Sequence, residues 1–474
     1  MKKIILSIAV MAALSGCTKN LTDLNIDPKN PPDASAEALF TNAERRLSNN
    51  LASASTNQNI FRLIIQHFQQ TQYVDESNFD LGTRSISDNS WDAMYRNVLA
   101  DLQASIRLVE RDEKNAEVKK NKLAFINILQ VYTYYYIVST YGNVPYTDAL
   151  NIEITFPRFD DGKTIYNNLL SRLDASIAAL NPAAGSFTDA DVIYDGNVAQ
   201  WKKFANSMKL KMALTIADDD EDKARLAAEQ AVASGVFTSN NDNAMFPYIT
   251  SPPNTNPIWV DLVQSQRDDF VPCQTLITAM NDLDDPRRDD FFTLDPNGGY
   301  SGGDPGIGTS FASKSHVQTT ITAADFPGDL LDYSEVEFLL AEAVERGFAV
   351  GGTAEEHYNK AITASIVFWK GTVAEANTYL AKAEVDYTTA SGTWREKIGL
   401  QKWIALYNRG WDGWIEWRKF DFPVLVPGPD ANSDIPVRYP YPVNEQNVNT
   451  KNWEQAAAAI GGDEVDTKLW WDKN

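Results

Sequence analysis

The side chains that could carry out catalysis are few in kind. Histidine occurs three times, at His67, His316 and His357. No two of these are spaced to share a zinc ion or to build a local triad. The run Gly299-Tyr300-Ser301-Gly302-Gly303 matches the Gly-x-Ser-x-Gly pattern of a nucleophile elbow. Such an elbow needs a strand before the serine and a helix after it, and both flanks here read as Gly- and Pro-rich loop. With 64 acidic residues, carboxylate pairs for glycoside hydrolysis exist by number alone, and nothing local singles one out. The acidic runs at 217–222 and 281–290 offer oxygen ligands of the kind calcium takes, without the spacing of a calcium loop. They read as solvated turns and helix ends. No catalytic residue, metal site or cofactor is expected.

What the chain does offer is aromatic rings set among amides, carboxylates and guanidinium groups. A flat ring can cover the C–H face of a sugar while Asn, Asp, Arg or Gln reaches its hydroxyls. Two segments carry that mixture outside clean helical stripes. The first holds Tyr73, Asp75, Asn78, Phe79 and Trp91. The second holds Tyr248, Trp259, Arg267, Asp269 and Phe270. Trp259 is the leading candidate, because Pro257 and an Asn-rich approach place it on a loop. Trp91 is also in line with Tyr95, Val98 and Leu102, which is the pattern of a packed helix face. The competing role for all these rings is to pin loops to the body. Trp411, Trp414 and Trp417 belong elsewhere: at about 100° per residue they span an arc of about 120°, the width of a buried stripe.

The elements that must position these groups are mainly helical. Helices are expected over 57–74, 88–110, 116–140, 161–180 and 198–216, mostly with short connections. Trp201, Phe204, Ala205, Met208 and Met212 fall on one helix face, as do Tyr358, Ala361, Ile362, Ser365, Ile366 and Trp369. Thr353 with Glu356, and Ser334 with Glu337, read as capping boxes, and Gly347 reads as a C-cap. Successive amphipathic helices of this length suggest stacked pairs of tetratricopeptide type with degenerate repeats. From about 240 to 328 the chain turns rich in Pro, Gly, Asn and Asp, an irregular insertion on the helical body. β-Structure should be minor.

The N-terminus sets the compartment. Lys2 and Lys3 precede an apolar run, Ile4 to Leu14, that is too short to span a bilayer and suits a secretory signal. It ends in Leu14-Ser15-Gly16-Cys17, so Cys17 is expected to be lipidated at the mature N-terminus. Residues 1–16 are then the signal, 17–33 an extended Pro-containing tether, and 34–474 one helical domain. Cys273 is left without a partner for a disulfide. The formal charge of -22 disfavours nucleic acid and anionic lipid headgroups as partners.

Six stretches in order then carry a resemblance. They are Tyr141–Leu150 (YGNVPYTDAL), Trp201–Leu214, Asp284–Phe292, Asp332–Gly347, Gln401–Pro423, and Arg438 to Asn449 with Tyr441, Pro442 and Glu445 between. Together with the Cys17 lipobox, they closely resemble the SusD/RagB family of Bacteroidetes outer-membrane lipoproteins over essentially the whole mature chain. The resemblance implies tetratricopeptide-like repeats packed against an irregular half that holds the ligand. It also implies a surface position over a SusC-type TonB-dependent transporter, and an oligosaccharide (in some branches a peptide) as ligand, with no catalysis. The shared motifs are scaffold motifs, so the candidate site residues stand on their chemistry alone. A lipid-anchored glycoside hydrolase or esterase is the enzymatic alternative.

Overall fold

Most of the helices begin where a short polar side chain satisfies the first free N–H groups. In the computed structural model, which describes residues 34–474, Ser35 starts helix α1 (Ala36–Ala52) by accepting from the Ala38 amide. The signal, Cys17 and the tether lie outside the described residues. Helix α2 (Ile86–Met94) runs through a π-helical turn, Tyr95–Leu99, into α3 (Ala100–Asp112). Asn115 caps α4 (Ala116–Tyr141), Asp161 caps α5 (Gly162–Ala179), and Asn197 caps α6 (Val198–Thr215). Asp220 caps α7 (Glu221–Ser234). After α8 (Gln274–Asp282) come α9 (Tyr333–Glu345), α10 (Ala354–Phe368) and α11 (Val373–Leu380). The chain ends through α12 (Trp394–Ala405), α13 (Gly410–Phe420) and α14 (Thr450–Ile460).

The helices pack as pairs, α4 on α5, α6 on α7, α9 on α10 and α12 on α13. This is a mainly α fold of tetratricopeptide type, as the helical periodicity predicts. Among the described residues, strands are short and form three two-stranded antiparallel ladders. They join β1 (Phe68–Gln70) to β5 (Phe270–Pro272), β2 (Val144–Pro145) to β3 (Phe159–Asp160), and β4 (Ala244–Phe246) to β6 (Gly328–Leu331). The expected helices from 88 to 216 are present. The one expected over 57–74 is not: only Phe61–Ile64 is helical, and the chain then extends into β1. Residues 60–65 are buried on every side, so no amphipathic face holds them helical, and β1 takes its partner from a segment far along the chain.

The tryptophan triplet is core. Trp411 packs on Tyr132, Tyr135 and Tyr136 of α4, with ring centroids 4.9–6.2 Å away. Trp414 packs on Phe61 at 4.9 Å. Between them and the C-terminus, the Arg418 guanidinium lies 3.6 Å over the Trp414 ring and 4.4 Å over Trp471. It also donates to the Ser139 carbonyl at 2.8 Å.

A buried ionic network staples the repeat layers. Lys211 of α6 pairs with Glu335 of α9 at 2.8 Å and with Asp412 of α13. Arg409 reaches Glu335 at 2.7 Å, Asp412 at 3.0 Å and Asp332 at 3.4 Å. Burial opposes ionisation of Glu335, but Lys211 and Arg409 outweigh it and hold the carboxyl down at about 2. Two expectations need correction here. Ser334 does not cap α9: Asp332 does, accepting from the Glu335 amide at 2.6 Å, while Ser334 donates to the Ala361 carbonyl. Nor is the acidic run at 217–222 simply solvated, since Asp218 binds Arg346 at 2.8 Å and Arg395 at 2.7 Å. The Thr353–Glu356 capping box forms as expected, and Gly347 takes φ +79° just beyond α9.

Candidate ligand-binding site

Two of the segments singled out in the sequence meet at the β1–β5 ladder. Phe68 pairs with Pro272 and Gln70 with Phe270. The pairing continues one residue further, where the Thr71 amide donates to the Asp269 carbonyl at 2.9 Å. Past that last bond both chains leave the sheet, one through Tyr73 and the other through Arg267. A third strand of loop joins them, because the Thr309 amide donates to the Thr71 carbonyl at 2.9 Å.

Tyr73 takes a left-handed backbone, φ +51°, and its ring is 73% exposed. A side chain of this size turned outward from a braced loop is a ready stacking face. The bracing is extensive. Gln69 accepts from the Gly306 amide at 3.0 Å and donates to the Ile307 carbonyl at 3.2 Å. Asn78 donates to the Gly306 carbonyl at 2.9 Å, and its own carbonyl accepts from the Asn432 amide. Gln70 donates to Glu76 at 2.6 Å, and Glu76 in turn pairs with Arg84. Arg267 and Asp269 form an exposed ion pair at 2.7 Å. At that exposure the pair adds little stability, and its remaining donors and acceptors are free to meet hydroxyl groups.

The other candidates separate by burial. Trp259 lies inside a helical stretch and not on the expected loop: the turn Pro257–Trp259, which Asn256 caps by accepting from the Ile258 amide at 2.8 Å, runs on into a π-helical turn, Val260–Gln264. Its indole is partly exposed and stacks on no other ring. Asp75 is exposed. Four expectations are corrected: Phe79, Asn78, Tyr248 and Phe270 are each at most 6% exposed. Asn78 is a loop brace, Tyr248 donates to Asn49 at 2.9 Å, and Phe270 packs on Phe68. These rings pin the irregular half to the body. Trp91 is also packed, with Tyr141 at 5.0 Å and Tyr95 at 4.9 Å, although its edge borders a cleft of about 440 Å³.

Sequence reasoning missed the contribution of the loops at 304–311 and 423–432. Ile307, Val424 and Val426 are exposed there, and the Val426 carbonyl accepts from Gln66 at 2.6 Å. The available signal was Gly306, which packs against Asn78 with φ +71°, where only glycine fits without strain. Ser301 of the Gly-x-Ser-x-Gly match lies in loop with neither strand nor helix beside it. Cys273 is free and buried, and burial pushes its thiol up to about 11. Among the described residues no group of acidic, His or Cys side chains is arranged to hold a metal, and no helix is long and apolar enough to cross a membrane.

Comparison with known proteins gives a consistent set of likenesses. The family model SusD-like_2, described as "Starch-binding associating with outer membrane", matches residues 28–442. A solved chitin-binding protein is 27% identical, with TM-score 0.82, over 93% of this chain and all of that one. A SusD homologue from Bacteroides uniformis is 27% identical, with TM-score 0.78, over 92% of this chain and 99% of that one. A chitin-binding SusD homologue from Flavobacterium johnsoniae has the same fold at 23% identity and TM-score 0.79, over 92% of this chain and 99% of that one. No curated protein sequence is similar to this chain.

Proposed function

Because the chain belongs to the SusD-like family of outer-membrane-associated proteins, we propose that it captures an oligosaccharide on the surface around Tyr73. The observation that supports this most directly is the ring itself. Tyr73 is 73% exposed, yet it lies two residues beyond Thr71, whose backbone bonds to Asp269 and Thr309 anchor the loop, and Asp269 forms the exposed ion pair with Arg267. Preorganised rings lose little freedom on binding, which favours affinity. Trp259 belongs to the same irregular half and supplies a second, partly exposed aromatic. The chain acts as a binding protein and catalyses nothing. It is held at the outer membrane through a lipid on Cys17, and it covers a SusC-type TonB-dependent transporter that takes up the captured glycan.

The test uses calorimetric titration with maltoheptaose and with chitohexaose, chosen because the family description names starch and a structural relative binds chitin. Tyr73→Ala should weaken binding by about tenfold, or ~1.4 kcal/mol, with unchanged far-UV circular dichroism. Equal affinity in the variant removes Tyr73 from the site. Release of reducing sugar by the purified protein would replace the binding reading with a hydrolase. Binding of peptides and of no sugar would transfer the site to the peptide branch. Cys17→Ala should move the protein from the membrane fraction to the soluble one, and the barrel partner should co-purify with the lipidated form.

A further inference from the structure

A groove of about 590 Å³ opens between α9, α10 and α11, within the usual size range of ligand sites. None of its residues belongs to the Tyr73 loop or to the segments that brace it. On α10, Asn359, Thr363 and Val367 stand four residues apart and form one stripe. Asn377 and Leu380 of α11 face them across the groove, with the small residues Ala364 and Ala381 keeping the walls apart.

Two of the polar side chains here are uncommitted: among the described residues, the side-chain amides of Asn359 and Asn377 have no hydrogen-bond partner. Thr363 donates to the Asn359 carbonyl at 2.8 Å and keeps its lone pairs. Asn240 donates its amide N–H to the Ala364 carbonyl at 3.0 Å, while its Oδ1, shut off from solvent, has no partner. The charge is equally distinctive. In a chain with 64 acidic residues the groove is lined by no carboxylate, and Lys360 is its sole ionic side chain. Its apolar part is a single patch, Val367 and Leu380 beside the half-buried ring of Tyr333.

We propose that this groove is a second saccharide site, which takes a neutral sugar unit through the Asn359 and Asn377 amides with its C–H face on the Tyr333–Val367–Leu380 patch. Amides supply a donor and an acceptor from one side chain, which matches vicinal hydroxyls. A bound extended peptide would instead call for a row of pockets for alternate side chains, and the groove has one patch. The proposal rests on the glycan-binding reading above and adds a site to it. A second contact on one chain raises apparent affinity for a long polymer without tightening either site.

The test pairs Asn359→Ala/Asn377→Ala with Tyr73→Ala, each titrated with maltoheptaose and chitohexaose. Both asparagines lie on helix surfaces where alanine is favoured, so folding is retained. The unmodified protein should show two binding events per chain, a tighter and a weaker. The asparagine double variant should lose the weaker by at least tenfold and keep the tighter, and Tyr73→Ala should do the reverse. If the double variant titrates like the unmodified protein while Tyr73→Ala does not, the groove proposal alone is overturned. If neither sugar binds the unmodified protein, the glycan reading falls and the groove with it. Groove-dependent binding of a peptide library and not of sugars also overturns it.

Discussion

Gly306 lies so close to Asn78 that a β-carbon on it would overlap the Asn78 side-chain oxygen and come within 3.0 Å of the Gly428 Cα. Gly306 also takes φ +71°, where an L side chain is strained. Gly306→Ala should therefore destabilise the protein by about 2 kcal/mol or more, and it should displace the Tyr73 loop. The expected readout is a lower unfolding midpoint together with weakened saccharide binding. Unchanged values for both would mean that the loop does not depend on this contact.

Two aromatic candidates chosen together from the sequence should behave oppositely. Trp259→Ala removes a partly exposed ring that stacks on nothing, so stability should stay within about 0.5 kcal/mol while saccharide affinity falls several-fold. Tyr248→Ala opens a cavity in the core and leaves the Asn49 oxygen unpaired. It should cost about 3–5 kcal/mol of stability. Chemical denaturation and titration of the two variants, side by side, separate ligand face from core.

The ionic network is sensitive to loss of one member. Arg409→Leu leaves Asp332 buried without its cation, and Glu335 and Asp412 with Lys211 alone, and should cost about 3–5 kcal/mol. By contrast, Arg225→Ala removes an exposed partner of Asp222 and should change stability by no more than about 0.5 kcal/mol. Equal effects from the two, in equilibrium denaturation, would contradict the role assigned to the buried cluster.

Asp261 follows the Trp259 turn and accepts from the Ala54 amide at 3.2 Å. Burial pushes its carboxyl up to about 6 from an ordinary value of 3.8. Between those values the folded state binds more protons than the unfolded one, so this group's contribution to stability declines as pH rises from 3.8 to 6. Asp261→Asn keeps an acceptor and removes the buried charge. It should stabilise the protein at pH 7.5, on the order of 1–3 kcal/mol, and the gain should shrink as the pH is lowered toward 4. A gain that persists unchanged at pH 4 would assign the effect to something other than this charge.

Helices α4, α5 and α6 were legible because their apolar residues recur at helical spacing and their caps are local. The Thr353 capping box was legible for the same reason. The Ser334 box failed because the same short pattern admits Asp332 as cap two residues earlier, and Ser334 is drawn into a bond with Ala361. The helix expected at 57–74 failed because burial on all sides erases the periodicity that tells helix from strand. In the candidate site, the mixture of rings and polar groups singled out two segments that the fold brings together at the β1–β5 ladder, but not which rings face out. Tyr73 and Phe79 have the same composition around them; one is 73% exposed and the other 4%.

What the sequence determined by itself is what short-range spacing can encode: the helical repeats, the buried tryptophan stripe from Trp411 to Trp417, and the ordered motifs that mark the family. Only the tertiary structure decided which of the candidate rings face outward. Gln70 meets Phe270, Thr71 meets Thr309 and Asn78 meets Gly306 through backbone hydrogen bonds and close packing between segments about 200 or more residues apart. Those contacts turn one ring into solvent and another into the core, and no local pattern of residue types records them.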